Sequence, residues 1–352
     1  MASIAMLACL NLNGVLTLST LLSIHLDCQH AGCNDRHRLT IEEKTADNQY
    51  EAFPICRSGD IKMAWEVAFP VKNELGEGPV FDTVTGCLFW CDIIGHTVLA
   101  GDTQTGLIKT FGFGEPVSAV FLTDTDQLLV AGASGLYQLD PKTGTRDLIL
   151  PIEKDNPITR ANDSRVAPGN SIWFGTMGRK LEPDAGAIYH VKDGRCTTLF
   201  SPISIPNATC FSPDGRIGYY CDTPQQRVMQ VEIDPATGQP VAPPSLFTDL
   251  SADGLNPDGA VTDAEGNLWN AQWGAGRVAC YNQDGRFIKA ISLPATQVTC
   301  PCFGGPDLKT LYVTSASEGL SAKEHQEQPL AGAVFALQLE VAGQPERRLL
   351  CD

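Results

Sequence analysis

One unit recurs six times along this chain, and it leaves few folds open. Each copy opens on a turn rich in Gly, Pro, Asn or Asp and runs into an apolar strand. It then turns again at Asp and Gly before an aromatic strand. Leu75-Gly76-Glu77-Gly78-Pro79-Val80-Phe81-Asp82 leads to Leu88-Phe89-Trp90-Cys91-Asp92. Pro206-Asn207-Ala208-Thr209-Cys210-Phe211 passes through Ser212-Pro213-Asp214-Gly215 to Ile217-Gly218-Tyr219-Tyr220. Asn256-Pro257-Asp258-Gly259-Ala260-Val261 passes through Asp263-Ala264-Glu265-Gly266 to Leu268-Trp269-Asn270-Ala271. With starts at Gly76, Val117, Arg160, Ile205, Asn256 and Val298, the steps are 41 to 51 residues. A period of that length filled with short strands is the mark of propeller blades. Segments such as 188–191 and 227–231 supply the outer strands. The pattern predicts an all-β, six-bladed β-propeller over residues 61–352. Residues 334–339 are expected as the outer strand of the last sheet, with 62–69 adding a strand from the other chain end, so that the ring closes without an exposed central edge.

The formal charge of −16 excludes nucleic acid and anionic membrane as partners, since both need a basic face. The thirteen Cys are odd in number and irregularly spaced, and seven of them fall inside apolar strand patterns, where a thiol serves as a small hydrophobe. That usage points to a reducing, cytoplasmic compartment. Residues 1–60 stand outside the repeat and are expected to be a poorly ordered extension. Residues 1–26 carry no Asp, Glu, Lys or Arg, so export by a signal-like segment is the alternative, although a basic start and a small-residue cleavage site are lacking. Asn11, Asn13 and Gly14 interrupt the stretch and leave it short of a membrane span. Cys28, His30, Cys33 and His37 do not follow a zinc-site spacing.

In a propeller the loops at one end of the inner strands converge on the axis. The residues entering those strands are Glu77, Asn162 (with Arg160), Asn207 and Asp258. Asn207 and Asp258 are expected at equivalent places in neighbouring blades. Singly, each is an ordinary turn residue. Together they bring two carboxylates and two amide carbonyls to one mouth, and such hard oxygens select Ca²⁺, Mg²⁺ or Mn²⁺, or Zn²⁺ where few ligands bind. A cation held there would polarise an ester carbonyl. Trp173, Phe174 and Trp273 are candidates for the walls of the pocket, or for core.

These units, together with Arg160-Ala161-Asn162-Asp163, Trp173-Phe174-Gly175-Thr176-Met177 and Phe303-Gly304-Gly305-Pro306-Asp307, resemble the SMP-30/gluconolactonase/regucalcin-like family from about Leu75 to Ser315, in family order. The resemblance implies a six-bladed propeller with one divalent cation (Ca, Zn, Mn or Mg) in its channel, and hydrolysis of a sugar lactone. By position it implies Glu77, Asn207 and Asp258 as metal ligands, Arg160 and Asn162 as substrate contacts, and Asp258 as proton donor or acceptor. Gly178-Arg179-Lys180 stands where animal members carry a substrate-holding Glu, and this chain looks more like the bacterial branch. Two other functions stay open at this stage: a non-enzymatic calcium- or ligand-binding propeller, and another metal-assisted hydrolase, such as an organophosphatase, in the same channel.

Overall fold

The strand starts fall where the repeat places them. In a computed structural model, which describes residues 65–351 and two short paired strands, Ser23–Leu26 and Leu39–Glu42, the inner strands of six blades are Gly76–Asp82, Val117–Leu122, Thr159–Ala167, Pro206–Phe211, Asn256–Thr262 and Val298–Gly304. Each heads a four-stranded antiparallel sheet, and each inner strand packs against the next around a closed ring. Residues 64–352 form a compact unit. The remaining expectations for residues 1–60, including the signal-like reading and the Cys28, His30, Cys33 and His37 set, lie outside the described residues.

Closure differs from the expectation in one detail. In the sixth sheet Val334–Gln338 is the third strand and Glu66–Phe69 takes the outermost place. Side-chain character explains the order. Val334 and Phe335 are fully buried and need a neighbour on both edges, whereas Glu66 and Val67 are exposed and suit an edge.

Hydrophobic core lies between blades rather than at the centre. Six clusters each join one pair of adjacent sheets. Trp90, Trp173 and Trp269, one on the second strand of three of these sheets, are wholly buried in them. With apolar side chains committed sideways, the axis is left to the polar residues of the inner strands.

The two ends of that axis differ. At the exits of the inner strands, residues 343–351 cross from blade to blade without forming a strand. Gly343 N–H donates to Leu308 O, Gln344 Nε2 to Thr262 Oγ1 (3.3 Å) and Arg347 Nη2 to Ser212 O (3.3 Å). Glu346 pairs with Arg165, Arg348 pairs with Asp82, and Leu349 exchanges backbone bonds with Leu122 and Asp124. Every blade is touched, so this strap spans the far end of the axis.

Candidate active site

Every inner strand carries a register shift just past its entrance. Such bulges twist a strand and re-aim its side chains, and here they turn the entrance residues toward the axis. In blade 1 the bulge follows Glu77, which pairs with Cys91, and passes through Gly78 at φ 55°. A Cβ on Gly78 would lie 2.4 Å from Ser118 O, so the close approach of blades 1 and 2 requires glycine. In blade 4 the same place after Asn207 is taken by Ala208, also left-handed at φ 56°.

The register corrects one expectation. Asn207 and Asp258 are not equivalent: Asn207 matches Glu77 as the last paired residue before the bulge, while Asp258 matches Asn162 as the first residue within it. The mouth is thus built from two successive positions in each blade.

The side chains interlock across blades. Asn162 Nδ2 donates to Asn207 Oδ1 (3.1 Å) and Pro206 O (2.9 Å), while Arg160 Nη1 donates to Asn162 Oδ1 (2.7 Å) and Ala161 O (2.8 Å). Asn207 Nδ2 reaches Thr223 Oγ1 (2.9 Å), and Thr223 Oγ1 donates on to Pro257 O (2.8 Å) beside Asp258. Asn270 Nδ2 holds the bulge backbone of blade 5 through Asp258 O (2.8 Å) and Gly259 O (3.2 Å). Glu77 Oε2 accepts from Gly78 N–H at 3.0 Å.

Charge is poorly balanced here. Burial, then the Asp163 charge, pushes the Glu77 carboxyl from 4.5 to about 8, against the pull of Gly78 N–H and Arg160. Asp258 is driven well above the carboxylate range by burial and then by Glu77. Burial lowers Arg160 to about 10 despite the acids facing it. Cys91, Cys221 and Cys300, close behind these residues, are pushed far up by burial and stay neutral.

Asp163 escaped the sequence reading. It is the second bulge residue of blade 3, its carboxylate accepts Thr209 N–H at 2.7 Å, and burial lifts it to about 6. Aligning Asn162-Asp163-Ser164 with Asp258-Gly259-Ala260 would have exposed it as an acid where blade 5 has glycine. Trp173 and Phe174 do not wall the mouth: both are buried core, with Trp173 Nε1 bonded to Gly238 O. Trp273 is half-buried against a small cluster of Leu75, Ile93 and Ala316.

Among the described residues no three His, Cys, Asp or Glu side chains form a metal cage. The donors at the mouth are two carboxylates and an amide oxygen with a lone pair to spare. That set fits a hard divalent cation, whose charge would favour the ionised form of both buried acids.

An all-β propeller whose axial mouth carries a carboxylate–amide cluster is therefore the class that fold and site define. The SMP-30/Gluconolactonase/LRE-like region matches residues 75–317, and the chain belongs to that family. It is 42% identical over 276 residues to a Rhizobium meliloti (strain 1021) protein provisionally named a sugar lactone lactonase, covering 78% of this chain and 93% of that one. It is 33% identical over 282 residues to an L-arabinolactonase from Azospirillum brasilense, covering 79% and 92%. The solved structure of a calcium-binding protein, regucalcin, from Agrobacterium tumefaciens superposes with a TM-score of 0.80 at 40% identity, covering 82% of this chain and 97% of that one. Among the described residues no helix is long and apolar enough to cross a membrane.

Proposed function

We propose that this protein is a sugar lactonase that opens an aldonolactone to its sugar acid with the help of one divalent cation. The observation that carries the reading is the placement of Glu77, Asn207 and Asp258 at the bulged entrances of three inner strands, with Asn207 tied to Asn162 and, through Thr223, to the backbone beside Asp258. The relatives' names support the substrate class: one is an L-arabinolactonase and another, from Pseudomonas putida and 33% identical, a 6-deoxy-6-sulfogluconolactonase. Glu77, Asn207 and Asp258 would hold the cation, which would supply Lewis-acid polarisation of the lactone carbonyl.

The chain's own residues do the rest. Asp258 takes a proton from the attacking water and returns it to the ring oxygen as the C–O bond breaks. Arg160 has Nη1 fixed on Ala161 O and Asn162 Oδ1, and its other N–H groups meet sugar hydroxyls or the new carboxylate. Asn162, locked between Arg160 and Asn207, sets the distance between the substrate-holding and cation-holding halves.

A pH-stat panel of arabino-, glucono- and galactonolactones, with a phosphotriester for contrast, tests this on metal-stripped protein with and without Ca²⁺, Mg²⁺, Mn²⁺ or Zn²⁺. Lactone turnover that needs added cation and is lost in Asp258→Ala is the expected result. Cation uptake without turnover of any lactone would leave a binding protein, and equal turnover after stripping would end the mechanism.

A further inference from the structure

We infer that Glu346, carried on the C-terminal strap, is a positioning residue for the cation-holding cluster and acts on it through Arg165 and Asp163. The inference rests on the cation reading above. Arg165 Nε and Nη2 donate to the two Glu346 oxygens at 3.2 and 2.6 Å, and the two side chains are only 9% and 12% exposed. Arg165 lies two residues beyond Asp163 on the inner strand of blade 3, and its charge pulls Asp163 downward against the effect of burial. A narrow void bordered by Gly78, Asp163, Arg165 and Glu346 lies between the mouth and the strap. Asp163 in turn accepts Thr209 N–H, in the bulge of blade 4 that turns Asn207 toward the axis. Acid, base and acid thus alternate from the cluster down to the strap, which lies beyond the residues matched by the family.

The linkage works by default of alternatives. A buried guanidinium deprived of one partner does not stay unpaired, because an uncompensated charge there is far costlier than a poor contact. With Glu346 neutral, Arg165 turns to Asp163, the acid that already feels its charge. Asp163 then divides its oxygens between Arg165 and Thr209 N–H, and the bulge presenting Asn207 loosens. Glu346 leaves Asp163 free to hold that bulge.

The test uses full-length, metal-stripped protein well below its melting point. Glu346→Gln should weaken Mn²⁺ and Ca²⁺ binding, read by calorimetry, by roughly tenfold, as removal of a ligand-orienting partner does. The Thr209 amide proton should shift upfield. Glu346→Asp should retain most of the affinity, and Arg165→Gln combined with Glu346→Gln should recover it by removing the stray charge. Unchanged cation affinity and an unmoved Thr209 resonance in Glu346→Gln, with only a lower melting temperature, would reduce the strap to a fastening. Should Glu346→Gln not fold, the Asp and double variants decide the matter by the same two readouts. If the wild-type protein binds no cation, the cation reading fails, and the Thr209 resonance alone decides whether the strap reaches the mouth.

Discussion

Replacing Glu77 by Gln should stabilise the metal-stripped protein while removing its response to cation. A carboxyl lifted from 4.5 to about 8 gains stability for the fold below pH 4.5 and loses it as pH rises toward 8. At pH 7.5 the full penalty is about 4 kcal/mol. Partial contact with solvent and shared repulsion with Asp258 bring it to roughly 2 kcal/mol. Glutamine never pays that penalty. For a propeller of this size the difference amounts to roughly 4 °C in melting temperature near pH 8. At pH 5 only about a fifth of it remains, because Glu77 is then protonated in the fold while the pH exceeds the unfolded carboxyl's 4.5 by only about half a unit. Thermal melts of chelator-treated wild type and Glu77→Gln between pH 5 and 8.5 would show a gap that widens with pH. Saturating Mn²⁺ should then raise the wild type well above the variant. A constant gap, or a wild type more stable than the variant at pH 8 without cation, would refute the electrostatic reasoning.

Other outcomes follow from single contacts. Gly78→Ala forces a side chain into a left-handed position 2.4 Å from Ser118 O and should cost roughly 2–3 kcal/mol in chemical denaturation. Arg160→Lys removes the planar grip on Ala161 O and Asn162 Oδ1, so lactone KM should rise about tenfold with a smaller change in kcat. Trp173→Ala empties the core between blades 3 and 4 and should cost about 3–5 kcal/mol, yet leave the cation-induced rise in melting temperature intact.

Blade number and phase were legible because turn chemistry is local: Asp-Gly and Pro-Gly pairs mark the chain reversals wherever the strands later pack. The entrance residues were legible for the same reason, since Glu77, Asn162, Asn207 and Asp258 stand beside those turns. What the sequence hid was register. A bulge puts two residues opposite one, so Asn207 and Asp258 read as equivalents until the pairing of Asn207 with Cys221 and of Pro257 with Gln272 set them one place apart. Asp163 was concealed by the same offset. The strap was invisible for another reason. Residues 343–351 make isolated backbone bridges to blades 2 and 5 and single hydrogen bonds or ion pairs to the others, with no continuous ladder, so they have neither period nor alternation to recognise. Between pocket wall and core, Trp173 and Phe174 fall to the core because blade cores lie between sheets, and the second strand of a blade needs its largest side chains there.

The central claim is that three oxygen donors from three blades share one cation. Anomalous diffraction from crystals of the full chain soaked in Mn²⁺ tests it most directly. A single strong peak at the open mouth, in contact with oxygens of Glu77, Asn207 and Asp258 together, is the predicted result. A mouth without a peak, or a peak held by other residues, would contradict it.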